Sequence, residues 1–179
     1  MQTYYEKVLN RIRRPVLVVA VALVALLAAS GIAVAVTTFA SGGAISAVRV
    51  AGSTDKSTFT SESYVDIPGA ARTIQGGDDA FDLLLARYSA ESRCLGGTQT
   101  CSVRIVAVPQ GGTIQEMEPA SGADFGFHNA SNDEAETHSM DRSLRVSKAG
   151  VYTVKAQAAA FSGSSFTLDD WSLTVERAD

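Results

Sequence analysis

The residues able to do chemistry are few. Two histidines, His128 and His138, and two cysteines, Cys94 and Cys101, stand among scattered carboxylates in a chain of 179 residues. No HExxH, GxSxG or Walker-type glycine loop occurs. The motifs for a zinc hydrolase, a strained nucleophile turn and a phosphate cradle are therefore missing. Serine, histidine and aspartate are all present, as in nearly any protein, but no local pattern sets them up as a triad. The expectation is a protein that is not an enzyme.

The carboxylates offer one other chemistry. Asn132, Asp133, Glu134 and Glu136 form a cluster, and Asp78 and Asp79 another. Ca²⁺ takes about six to eight oxygen ligands, which loops at one end of a β-sandwich could supply. The spacing fits no EF-hand loop, and acidic loops on an acidic surface are usually just solvated. Asp133, Glu134 and Glu136 are the calcium candidates, and no other cofactor is expected. Asn129-Ala130-Ser131 has the glycosylation acceptor pattern, which arises often by chance and needs a cell that uses it.

Cys94 and Cys101 bracket Leu-Gly-Gly-Thr-Gln-Thr, a hairpin-like loop. In an oxidising compartment they should form a disulfide, which in the chain-entropy model stabilises by about 2–3 kcal/mol. The spacing is not CxxC and no third cysteine exists, so a redox or metal role is not expected. Arg142 shares its strand parity with Met140 and Leu144. If it points inward it needs a compensating partner, because an unpaired buried charge costs several kcal/mol. Asp170 is the candidate carboxylate; the competing reading leaves Arg142 at a solvent edge.

These residues depend on two very different parts of the chain to position them. No Asp, Glu, Lys or Arg lies between Arg14 and Arg49. From Pro15 to Ala40 the sequence is almost wholly Val, Ala, Leu and Ile. As a helix that stretch would be about 39 Å long, enough to cross a hydrocarbon core of roughly 30 Å with some tilt. It has no polar face that would make it lie flat on a membrane. The expectation is a transmembrane helix over 15–40. Ala28-Ala29-Ser30 is a plausible peptidase site for a cleaved signal peptide, but the apolar run continues for about two turns beyond it.

Lys7, Arg11, Arg13 and Arg14 against Glu6 give the first 14 residues a charge of +3, while the whole chain carries −4. Positive charge marks the cytoplasmic flank. Residues 1–14 are thus expected to be a cytoplasmic tail, with the acidic remainder extracytoplasmic. An acidic domain lacks the basic stripe that nucleic-acid binding requires. Residues 41–56, with Ser41-Gly42-Gly43 and Ala51-Gly52-Ser53, read as a linker.

Residues 57–179 read as one antiparallel β-sandwich, jelly-roll-like in preference to immunoglobulin-like. The expected strands are Thr58–Ile67, Arg72–Gln75, Phe81–Ser92, Cys101–Val108, Ile114–Glu118, Asp124–Phe127, His138–Val146, Val151–Ala160 and Phe166–Glu176. Pro68-Gly69 and Pro109-Gln110-Gly111-Gly112 are the expected turns. In the last strand, Phe166 and Leu168 share one parity and Trp171, Leu173 and Val175 the other. A two-residue period cannot bury all five on one face, so a β-bulge near Asp169-Asp170 is predicted.

Three stretches carry a family resemblance. Glu136-Thr-His-Ser-Met-Asp-Arg-Ser-Leu-Arg-Val, Ala149-Gly150-Val-Tyr-Thr-Val-Lys-Ala-Gln and the ending Phe-Thr-Leu-Asp-Asp-Trp-Ser-Leu-Thr-Val-Glu-Arg resemble a group of exported β-sandwich proteins of GC-rich bacteria. The likeness covers about residues 57–179 and includes the Ser-Arg-Cys…Cys-Ser-Val-Arg hairpin. It implies a jelly-roll outer domain, sometimes behind a membrane helix, and brings no catalytic residues. Two function classes follow. One is an extracytoplasmic interaction module, anchored in the lipid bilayer, that meets a glycan, a wall polymer or a protein. The other is a homo-oligomeric filament subunit whose apolar helix packs against its copies, with Gly31 and the alanines permitting close contact.

Overall fold

In the computed structural model the described residues are 44–77, 82–96, 100–121, 125–129, 134–146 and 149–179. The expected tail and transmembrane helix fall outside them. No helix occurs among the described residues. Ten strands do: β1 Ile45–Ser53, β2 Ser57–Phe59, β3 Val65–Gly76, β4 Leu83–Leu95, β5 Thr100–Pro109, β6 Gln115–Glu116, β7 His128–Asn129, β8 Glu136–Arg145, β9 Gly150–Ala160 and β10 Ser165–Ala178.

Alternation explains which side of each strand is buried. On β4, Leu84, Ala86, Tyr88, Ala90, Ser92 and Cys94 are buried while Arg87, Glu91 and Arg93 are exposed. On β9, Tyr152, Val154, Ala156 and Ala158 face the core, and the outward positions carry Thr153, Lys155 and Gln157. The small side chains of β9 leave room for the large ones opposite. Tyr88 and Trp171 stack at 6.3 Å between centroids, and Phe127 lies 5.9 Å from Tyr88 and 6.4 Å from Phe166.

The strands form two antiparallel sheets, β1-β10-β4-β8 with β2 beside β10, and β3-β9-β5-β6 with β7 beside β5. Leaving out the short β2 and β7, each sheet interleaves strands from early and late in the chain. Two nested Greek keys produce this order, and it makes the sandwich a jelly roll.

Three sequence-based boundaries need correction. The expected linker over 41–56 contains β1, which pairs with β10 from Ile45↔Ala178 to Ser53↔Trp171. Its small residues serve close packing rather than flexibility: a Cβ on Gly52 would lie 3.2 Å from the Trp171 carbonyl oxygen. Thr58–Ile67 is two strands in different sheets, with Phe59 in β2 and Ile67 in β3. Pro68-Gly69 does not end a strand, because β3 runs through to Gly76 and absorbs the expected Arg72–Gln75 strand. Asp66 and Ala71 pair with Gln157 and Lys155, so four residues bulge out opposite Ala156.

The bulge predicted in the last strand is present. Asp169 pairs with Glu91 and Ser172 with Ser89, so Asp170 and Trp171 together oppose Ala90. Asp170 takes a φ of 42°, and Phe166, Leu168, Trp171, Leu173 and Val175 are all buried.

Candidate functional site

The outward face of the β3-β9-β5-β6 sheet carries a registered row of planar and charged groups. Asp66 pairs with Gln157 and Gln157 with Arg104 across three strands. Their side chains form a directed ladder: Arg104 Nε donates to Gln157 Oε1 at 2.8 Å, and Gln157 Nε2 donates to Asp66 Oδ1 at 2.6 Å. In the next row Lys155 pairs with Val106 and Val106 with Glu116. Lys155 Nζ reaches diagonally to Asp66 Oδ2 at 2.7 Å, and Arg104 Nη1 lies 3.5 Å from Glu116 Oε2. The Arg104 guanidinium sits 4.3 Å above the Tyr64 ring, whose hydroxyl shares a 2.8 Å hydrogen bond with Ser102.

This network has both order and exposed edges. Burial works to raise the Asp66 carboxyl, but hydrogen bonds from Lys155 and Gln157 and the charges of Lys155 and Arg104 outweigh it and hold it below its ordinary value. Asp66 stays ionised over the neutral range while its side chain remains 55% exposed. Beside Lys155, the β5 outward row ends at the Pro109–Gly112 turn, closed by Gly112 N–H donating to Pro109 O at 2.9 Å. That turn, Thr73, Thr153 and Lys155 bound a cleft of about 480 Å³. Fixed donors and acceptors on a rigid sheet beside an open cleft are what orient a polar ligand.

Sequence reasoning did not single out this face. Its residues lie far apart in the chain, and Lys155 and Gln157 read there only as the polar side of an alternating strand. The available signal was that alternation itself. It could be turned into a site only with the strand register in hand.

Of the residues that were singled out, Cys94 and Cys101 form a disulfide joining β4 to β5. Arg142 does point inward and is 8% exposed, but Asp170 is not its partner. Asp170 is exposed on the β10 bulge beside Ala90, whereas Arg142 pairs with Ala86, four residues along β4. Arg142 lies instead over the Phe125 ring at 4.7 Å and donates from Nη1 to the Asp141 carbonyl at 2.9 Å. Burial lowers its proton affinity, partly offset by the charges of Glu116, Asp141 and Glu118. Of the calcium candidates, Asp133 lies outside the described residues and Glu134 is exposed. Glu136 stands beside an imidazole, its Oε2 3.4 Å from His138 Nε2.

Ser92 completes a Ser–His–Glu series with those two residues, its Oγ lying 2.9 Å from His138 Nδ1. Ser92 is 1% exposed, however, and its hydroxyl is also within hydrogen-bond distance of His128 Nδ1 and the Glu136 carbonyl. A nucleophile must reach its substrate, and this oxygen is enclosed by the groups it orients.

No protein family and no curated protein matches this sequence. Among solved structures, the chain is similar to the VP2 subviral particle of infectious bursal disease virus at 10% identity and a TM-score of 0.41, over 74% of this chain and 33% of that one. It thus spans about a third of the VP2 chain it matches. A family 29 carbohydrate binding module matches at 9% identity and a TM-score of 0.31, over 72% and 89% of the two chains. The CBM22-1 xylan-binding domain from Paenibacillus barcinonensis matches at 8% identity and a TM-score of 0.27, over 75% and 96%. Likenesses at this level bear on neither ligand nor activity, and the jelly-roll assignment rests on the strand order itself.

Proposed function

We propose that this chain is a non-enzymatic interaction module, held at the outer side of a cell membrane by its apolar N-terminal segment. The jelly roll presents the outward face of the β3-β9-β5-β6 sheet to a hydroxyl-rich polymer, a surface glycan or wall polymer. The observation that carries the reading is the Asp66–Gln157–Arg104 ladder with Lys155 beside an open cleft. The buried Gln157 amide fixes the exposed Asp66 carboxylate, and the Asp66 and Lys155 head groups offer an acceptor and donors to a sugar's hydroxyls, while the rigid sheet limits the entropy lost on binding. The N-terminus is cytoplasmic in this arrangement and the acidic domain faces outward, away from nucleic acid.

Retention of the detergent-purified full chain on immobilised cell-wall polysaccharide tests the reading. The unaltered chain should be held back, and the Arg104→Ala/Lys155→Ala double variant should lose at least about five-fold in retention with its near-ultraviolet circular dichroism unchanged. A double variant retained as well as the parent, or a parent that elutes freely, contradicts it.

The assembly reading has one observation in its favour. Val48 and Val50 on edge strand β1 point outward and are 46% and 58% exposed, an apolar patch of the kind that meets another copy.

A further inference from the structure

We propose that the outward face of the β1-β10-β4-β8 sheet, around Ile45, Val48 and Val50, rests on the phospholipid headgroups of the bilayer that anchors the chain. The inference rests on the membrane-anchored reading above and deepens it, by assigning one side of the jelly roll to lipid and the other to the polymer.

A bulge assembles this face. Val48 pairs with Glu176 and Val50 with Thr174, and partners across an antiparallel pair share a side of the sheet. Simple alternation would put Ile45 on the side opposite Val48. The register shifts between Ile45 and Ala47, however, so Ile45 pairs with Ala178, which shares its side with Glu176 and Thr174. The extra residue thus turns a third apolar side chain to the same surface. Ile45, Val48 and Val50 are 56%, 46% and 58% exposed, three of the five large apolar side chains left exposed among the described residues. Across β10 the rows continue into β4, where Ala178 pairs with Leu83 and Glu176 with Leu85, both half-buried.

The place of the patch in the chain points to what covers it. Only Ser41-Gly42-Gly43-Ala44 separate Ile45 from Ala40, the last residue of the apolar run. Fully extended, that stretch spans at most about 18 Å, and Ile45 to Val50 adds about 17 Å. Anchoring therefore keeps the patch near the bilayer surface, where a weak contact forms at high effective concentration. A protein partner fits less well. A stable interface takes about 20–30 residues a side, and this patch has a handful. Addition of another strand along β1 is opposed by two arginines, Arg72 Nε donating to Val50 O at 2.7 Å and Arg49 Nη1 to Val48 O at 2.9 Å. A lipid surface needs neither a matching shape nor a free strand edge.

Charge sets the depth of the contact. Glu176 stands between Val48 and Leu85, and the Arg87–Asp141 ion pair, at 2.7 Å, continues the row of Val50 and Thr174. These groups stay hydrated at headgroup level, so the apolar side chains touch the interface without entering the hydrocarbon. The other sheet, with the Asp66–Gln157–Arg104 ladder on its outward side, then points away from the membrane and toward a polymer.

Probes on the two faces test the contact. The chain has two cysteines, joined to each other, so a third one, added by Thr174→Cys or Thr153→Cys, takes a nitrobenzoxadiazole label alone. Thr174 lies between Val50 and Arg87 on the lipid side, and Thr153 between Thr73 and Val108 on the ladder side. The full-length chain is reconstituted into phosphatidylcholine vesicles containing a lipid spin-labelled near its headgroup. The probe at 174 should be quenched at least about threefold more than the probe at 153, and Ile45→Asp/Val48→Asp should remove the difference while the chain still floats with the vesicles. A chain that does not float contradicts the anchor, and this inference with it. A floating chain quenched equally at both positions, or one whose difference survives the two aspartates, overturns the lipid contact alone. Energy transfer between labelled copies at position 174, rising with protein density and without lipid quenching, would overturn it by assigning the face to a second copy.

Discussion

Arg142 shows how one side chain can be buried with no ion pair among the described residues. Its guanidinium covers the Phe125 ring and gives one hydrogen bond to a carbonyl, while Nε has no hydrogen-bond partner among the described residues. Its contribution is therefore packing and cation–π contact more than ion pairing. Arg142→Ala should destabilise the domain by about 1–2 kcal/mol in urea unfolding, whereas Arg142→Met, which keeps the stem, should stay within about 0.5 kcal/mol. Equal losses in both would mean that the charge itself is needed. The parity of Met140, Arg142 and Leu144 made the inward direction legible. The partner was not, because Phe125, expected within a strand over Asp124–Phe127, instead precedes β7 outside any strand. The same holds for the two histidines: ten positions separate them, and β7 lying in the far sheet brings their ring centroids within 5.0 Å.

Bulges set which side chains the strands present. The β10 bulge was readable because five large apolar residues broke a two-residue period, and burying them all outweighs the cost of one extra residue. The β3 bulge was not, since Pro68-Gly69 has the same local chemistry whether it ends a strand or interrupts one. What decides is tertiary: Gly69 adopts a φ of +77° with the Trp171 ring 3.5 Å from where its Cβ would be. Gly69→Ala should therefore cost about 1–2 kcal/mol from the left-handed backbone, measured by thermal or urea unfolding. A neutral substitution would show that the bulge relaxes freely. For β1, its Ala and Gly content masked a strand whose pairing with β10 alone defines it. Two arginines engage its backbone, Arg72 Nε donating to Val50 O at 2.7 Å and Arg49 Nη1 to Val48 O at 2.9 Å. Charged side chains of this sort are how natural sheets discourage strand addition at an edge.

At the scale of the molecule, the proposed arrangement is a disulfide-closed jelly roll tethered by an apolar segment long enough to cross a bilayer. The proposed outer location requires an oxidising compartment in which the Cys94–Cys101 disulfide persists, and its orientation is proposed from the +3 of residues 1–14. The two faces of the sandwich then compete as interaction surfaces: the polar ladder on one sheet and the outward valines of β1 on the other. Site-specific photo-crosslinking in living cells distinguishes them. A photoreactive residue is placed either at Thr153, on the ladder face, or at Thr174, which pairs with Val50 on the other sheet. Covalent capture of surface polymer from position 153 and not from 174 is the predicted result. Capture only from 174, or of a second copy of this chain from there, would contradict the assignment of the binding face.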